Sequence, residues 1–199
     1  MIVFDGSGSM AEIGYNLIEE PRIFEAREAI ATVVPPVAER RRLGLLLYGP
    51  GGADACSGVD LRFAPREEAA GPIIDAVNAL EPAGETPLTE AVREAAETLL
   101  TTGGPGDVVL VTDGKETCAG APCQLATELS DTGVTVHVIG FKVRGPHFAW
   151  KEGVSDSYNQ SETVARCLAD ATEGLYVGAE TLEELIDALR TTLGCRIMM

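Results

Sequence analysis

Four stretches of strand length in this chain are almost wholly apolar: Ile2 to Phe4, Leu43 to Tyr48, Asp107 to Thr112 and Val134 to Phe141. A strand with one wet face alternates apolar and polar residues, whereas one covered on both faces has no need to. Amphipathic helical patterns lie between the runs. Phe24, Ala26, Ala29, Ile30, Val33 and Val34 recur at mixed three- and four-residue steps, and Leu182, Leu185, Ile186, Leu189 and Leu193 do so again near the end. Strands alternating with helices predict an α/β fold: a three-layer, doubly wound, mainly parallel sheet with helices on both faces. Val59 to Phe63 is a shorter alternating segment and is expected to pair as one antiparallel edge strand. No linker or repeat divides the chain, so residues 1–199 read as a single domain.

Local signals set the expected boundaries. Pro21 is placed for the first turn of a helix, which Pro35-Pro36 should limit or kink. A second helix is expected from Pro65, carrying Ile73, Ile74, Val77 and Leu80, and a third from about Leu88 with Ala91, Val92, Ala95, Ala96 and Leu99 inward. Gln124 to Leu129 and Thr163 to Ala171 read as helices and Leu175 to Val177 as a short strand. Thr86, just before the third helix, reads locally as its cap. The glycine run at Gly49 to Gly52 lacks the lysine and hydroxyl of a phosphate-binding loop. Arg144 to Ser161 is a polar insertion holding His147, Phe148 and Trp150, either a partner contact or an aromatic cluster packed on the domain.

With 31 acidic against 15 basic residues the formal charge is -16. That balance opposes nucleic acid and anionic lipid as partners and draws divalent cations weakly everywhere. No apolar window is long enough to span a bilayer, so direct membrane insertion is not expected. Met1 begins inside the first strand with no leader before it, so the expectation is either a cytosolic protein or, the preferred reading, targeting information upstream; five cysteines lean the location toward an extracytoplasmic one, periplasmic or cell-surface. Cysteines stand at 56, 118, 123, 167 and 195. Cys118 and Cys123 flank Ala-Gly-Ala-Pro at a spacing suited to a small disulfide ring, a reading preferred to a zinc site because histidines are scarce. Cys167 reads as a buried helical thiol, and the full pairing is not legible.

Two of the apolar runs end alike. Phe4 gives way to Asp5-Gly-Ser7-Gly-Ser9, and Val111-Thr112 to Asp113-Gly114. If the two strands are parallel neighbours, about 4.8 Å apart, both carboxylates emerge at one sheet edge and repel unless a positive charge sits between them. Glycines let the first loop turn Asp5, Ser7 and Ser9 toward one point, where hard oxygens suit a hard divalent cation.

Together with Thr86-Pro-Leu, these motifs resemble the metal-ion-dependent adhesion site of the von Willebrand factor type A domain, and the order of elements resembles that Rossmann-like family over nearly the whole chain. The resemblance implies that Ser7, Ser9 and Thr86 supply oxygens directly, while Asp5 and Asp113 bind directly or through water. It implies magnesium, with manganese or calcium as substitutes, and a protein partner that completes the shell with a glutamate or aspartate. It also implies a final helix, Leu182 to Leu193, that shifts on engagement. Two carboxylates cancel a divalent charge and hydroxyls add none, so the ion keeps its attraction for another anionic oxygen. Glu85 departs from the family pattern, where a small residue is common, and the cysteines and the insertion around Trp150 resemble bacterial secreted members.

The expected function is therefore a divalent-metal-dependent adhesion or assembly module without catalysis. The alternative is a magnesium-dependent phosphoryl-transfer enzyme with Asp5 as nucleophile. Against it, Ser7 stands where such enzymes carry a second aspartate, and no suitable lysine follows a later strand. Ser7 or Ser9 as a hydrolytic nucleophile lacks both the G-x-S-x-G elbow and a loop histidine, since His137 falls within a strand. A third reading makes Asp5 and Asp113 mere caps of helices or glycine turns.

Overall fold

The computed structural model describes residues 1–13, 20–142 and 165–194. Its elements are β1 (Ile2–Asp5), a 3-10 turn (Gly8–Ala11), α1 (Arg22–Ala38), β2 (Leu43–Tyr48), β3 (Val59–Arg66), α2 (Ala70–Ala79), α3 (Leu88–Thr102) and β4 (Asp107–Thr112). They continue with α4 (Pro122–Leu129), β5 (Thr135–Phe141), a helix α5 whose described part is 165–171, β6 (Tyr176–Ala179) and α6 (Leu182–Leu193). The insertion with His147, Phe148 and Trp150, Thr163 at the start of the expected helix, and Cys195 lie outside the described residues.

The sheet order is β3-β2-β1-β4-β5-β6, with β3 antiparallel to β2 and every other neighbouring pair parallel. From β1 the chain builds outward through β2 and β3, then returns to add β4, β5 and β6 on the other side. The reversal falls between β1 and β4, and in open α/β sheets the crevice beyond the strand ends at such a point is where ligands sit. Ile2 pairs with Val109 and Phe4 with Val111, so Asp5 and Asp113 leave the sheet at the same edge.

Absence of alternation in the strands is explained by two cores. Ile2, Phe4, Leu45, Leu47, Val109, Val111 and Ile139 face α1, α2 and α6. Met1, Val3, Leu46, Tyr48, Val108, Leu110 and Val138 face α3, α4 and α5. Leu110, mid-strand and fully buried, is expected to cost about 3 kcal/mol when cut to alanine, read as a lowered urea midpoint with unchanged slope.

The boundaries near Pro35, Pro36 and Pro65 differ most from expectation. β3 runs on through Pro65 to Arg66, and α2 starts only at Ala70. A proline is tolerated there because β3 is an edge strand, and the pairing with β2 carries register shifts between Leu43 and Leu46. α1 passes through Pro35 and Pro36 to Ala38. Val33 and Val34 are held in the core beneath that last turn, and packing of this kind offsets the backbone bonds the prolines cannot make.

The cysteine reading is also corrected. Cys118 does not close a ring with Cys123; it bonds Cys56, and Cys123 bonds Cys167, which is not a free thiol. Cys123 lies in the first turn of α4, facing α5, while Cys118 remains in the preceding loop beside the β2–β3 connection. The two therefore meet different neighbours despite being close in sequence.

Candidate metal site at the β1 and β4 strand ends

Asp5 ends β1 and is fully buried. Its Oδ1 accepts the Ser7 amide at 2.8 Å, which folds the loop back over the strand end, and its Oδ2 accepts the Thr112 hydroxyl at 2.8 Å across the β1–β4 pair. Ser7 Oγ lies 3.0 Å from Ser9 Oγ, and Ser9 Oγ donates to Asp113 Oδ1 at 2.6 Å. Asp5, Ser7, Ser9 and Asp113 are thus brought together by bonds running through both strand ends.

Thr86 arrives by its backbone. Gly8 N–H donates to Gly84 O at 3.1 Å and Ala83 N–H to Gly6 O at 2.9 Å, which lays the 83–86 loop along the first loop. Beneath both lies Gly49, whose φ of +112° and lack of a side chain allow the close approach; a Cβ there would stand 2.4 Å from Ser7 N. Thr86 itself is buried, and its N–H donates to Thr117 Oγ1 at 2.8 Å while its carbonyl accepts Thr117 N–H at 3.2 Å.

Thr86 is not the cap of α3; Pro87 occupies that position and makes no side-chain cap bond. The capping comes from another loop. Glu116 Oε2 accepts Thr89 N–H and Thr89 Oγ1, each at 2.7 Å, and Oε1 accepts Cys118 N–H at 2.8 Å. A carboxylate from the loop after Asp113 therefore secures the helix that begins just after Thr86. Glu116→Ala is expected to cost about 1–2 kcal/mol, as removal of a cap does, measurable by urea unfolding.

The surroundings of Asp113 disfavour its negative charge. Burial first, then the charge on Asp5, push the Asp113 carboxyl up to about 6, although Ser9 and Arg22 pull the other way. Tyr48, buried on the same sheet face, is pushed well above its usual range by burial and by Asp5, so it stays neutral. Arg22, at the start of α1, donates from Nη1 to Asp113 Oδ2 at 2.9 Å and to Ser9 O at 3.1 Å.

Donor chemistry fits a small hard ion. Magnesium–oxygen bonds of about 2.0–2.1 Å at right angles set neighbouring ligands about 2.9 Å apart, close to the Ser7–Ser9 oxygen separation of 3.0 Å. Among the described residues no group of three or more His, Cys, Asp or Glu is placed to hold a metal, so a cation site here has to draw on hydroxyls. His137, buried in β5, accepts Leu175 N–H at 3.0 Å through Nδ1, far from hydrolytic use.

Sequence reasoning missed Arg22, Glu116 and Thr117. One signal for Arg22 was available: a cation in the first turn of a helix opposes the helix dipole and implies an anion nearby. Glu116 and Thr117 had none, because their partners, Thr89 at the start of α3 and Thr86 just before it, lie about thirty residues away.

Comparison with known proteins identifies the fold family. The model of the von Willebrand factor type A domain matches residues 1–176. The uncharacterised protein YwmC of Bacillus subtilis (strain 168) is 27% identical over 167 residues, covering 79% of this chain and 69% of that protein. Among solved structures, the pilus adhesin SpaC from Lactobacillus rhamnosus GG superposes with a TM-score of 0.68 at 14% identity, over 96% of this chain and 30% of that one. Proximal thread matrix protein 1 of the mussel byssus, solved with zinc in its metal-ion-dependent adhesion motif, gives 0.59 at 15% identity over 96% and 43%.

Proposed function

The chain belongs to the von Willebrand factor type A family, and from that premise we propose that it is a non-catalytic binding module whose divalent cation accepts an acidic side chain from a protein partner. Ser7, Ser9 and Thr86 are the neutral donors in this reading, and Asp5 and Asp113 supply the negative charge. The observation that carries it is the run from Ser7 Oγ to Ser9 Oγ to Asp113 Oδ1, at 3.0 and 2.6 Å, beside a second buried carboxylate at the sheet's switch point.

Magnesium is the favoured ion, because two carboxylates and hydroxyls suit a hard cation better than a borderline one. Manganese and calcium share that preference for oxygen. Once bound, the ion supplies a positive centre for an anionic oxygen; the protein's part is to hold the hydroxyls on a rigid rim. The zinc-occupied motif of the mussel protein and the adhesin role of SpaC support the reading by kinship of fold. Two disulfides support an oxidising, extracytoplasmic setting.

Asp5 as a phosphoryl acceptor is disfavoured by its complete burial and by hydrogen bonds on both oxygens. Incubation with acetyl phosphate is expected to leave the protein unlabelled, and stoichiometric aspartyl-phosphate would overturn the non-catalytic assignment. Calorimetric titration of chelator-stripped protein with magnesium is expected to give one saturable site. No binding by magnesium, manganese or calcium would sink the metal-dependent reading.

A further inference from the structure

Arg22 is an unusual neighbour for a cation site. Its side chain is only 16% exposed, and its Nη1 contacts Asp113 Oδ2 at 2.9 Å, Ser9 O at 3.1 Å and, more distantly, Glu12 Oε2 at 3.4 Å. The strongest arginine–carboxylate pairs are frequently side-on, with two nitrogens on two oxygens. Here the contacts run through Nη1, while Nε is buried and makes no hydrogen bond among the described residues. Arg22 also stands at the first position of α1, the end of a helix that disfavours a positive charge. Neither the helix nor a fully satisfied socket explains its position; the carboxylate does.

We propose that Arg22 is a tethered counter-cation of the metal site: it neutralises Asp113 when the site holds no metal and competes with the metal for that carboxylate. The inference rests on the metal-dependent reading above. Asp5, Asp113 and Arg22 together carry one net negative charge, where the two aspartates alone would carry two. An incoming divalent ion therefore meets less attraction and a positive neighbour, and it must loosen or share the Arg22–Asp113 contact. Arg22 thereby lowers metal affinity and keeps the metal-free domain folded, so occupancy follows the ambient metal concentration instead of saturating at trace levels.

The test compares wild type with Arg22→Gln, Arg22→Met and Arg22→Lys by magnesium titration and by melting with and without magnesium. The neutral variants are expected to bind magnesium on the order of tenfold more tightly, and Arg22→Lys to stay near wild type. Their melting temperatures without metal should fall, so that the rise produced by magnesium exceeds that of wild type, a difference readable even in a destabilised variant. Folded neutral variants that bind magnesium no more tightly than wild type, with no larger thermal gain, would overturn the role of Arg22. Wild type that fails to bind magnesium, manganese or calcium would instead overturn the metal reading itself, so the two failures are distinguishable.

Discussion

Asp113→Ala is expected to weaken magnesium binding on the order of a hundredfold or more, with the fold intact by circular dichroism. Loss of an outer-shell partner alone typically costs metal sites 10–100-fold, and this change also removes half of the acidic charge. With Asp113 gone, Asp5 and Arg22 cancel, and nothing net remains to draw a cation inward. Two features keep the variant foldable. Asp113 sits on a loop beyond the end of β4, and its burial holds its carboxyl near 6, so the native state already disfavours its ionised form. Asp113→Asn, which keeps the shape and loses the charge, should fall between the two proteins. Calorimetry decides the matter: equal magnesium affinity in wild type and Asp113→Ala would remove Asp113 from the site.

Cutting the disulfides should have the largest effect on stability. Cys56 and Cys118 are separated by 62 residues and Cys123 and Cys167 by 44. Loops of these lengths give about 4 kcal/mol each in the chain-entropy treatment. Whole domains are stable by only about 5–15 kcal/mol, so losing both bonds should leave the domain largely unfolded at moderate temperature. The Cys56–Cys118 pair carries a second consequence. It joins the β2–β3 loop to the loop after Asp113, and both flank the Thr86 segment: Glu85 N–H donates to Ala55 O at 3.0 Å and Thr86 N–H to Thr117 Oγ1 at 2.8 Å. Cys56→Ser with Cys118→Ser should therefore weaken magnesium binding as well as stability, whereas Cys123→Ser with Cys167→Ser should act mainly on stability. Urea unfolding of the four-serine variant, with thiols counted to establish that wild type is oxidised, provides the check; an unchanged midpoint would show that the bonds contribute nothing.

The readings that held share a physical character. Leu43 to Tyr48 is apolar at successive positions because both of its faces are buried, and that demand is written in the residues themselves. Leu182 to Leu193 keeps its expected bounds because its start is encoded locally: Thr181 and Glu184 cap each other's backbone amides. The readings that changed depended on neighbours distant in sequence. Pro65 resembles a helix opener until β3 proves to be an edge strand, and Cys118 faces Cys123 only until the β2–β3 loop is folded against it.

Composition and periodicity alone determined the α/β architecture, the two strand-end aspartates and the hydroxyls that follow Asp5, because burial on two faces and glycine-rich turns leave direct marks on residue order. Only the tertiary structure decided that Glu116 rather than Thr86 secures α3, that the cysteines pair across loops, and that Arg22 reaches Asp113. Each of those contacts joins segments far apart in sequence, and only the misplaced cation at the start of α1 hinted locally that a partner existed, without saying which. Side-chain hydrogen bonds, ion pairs and crosslinks act over a few ångströms of space, and the sheet order alone brings their partners within reach.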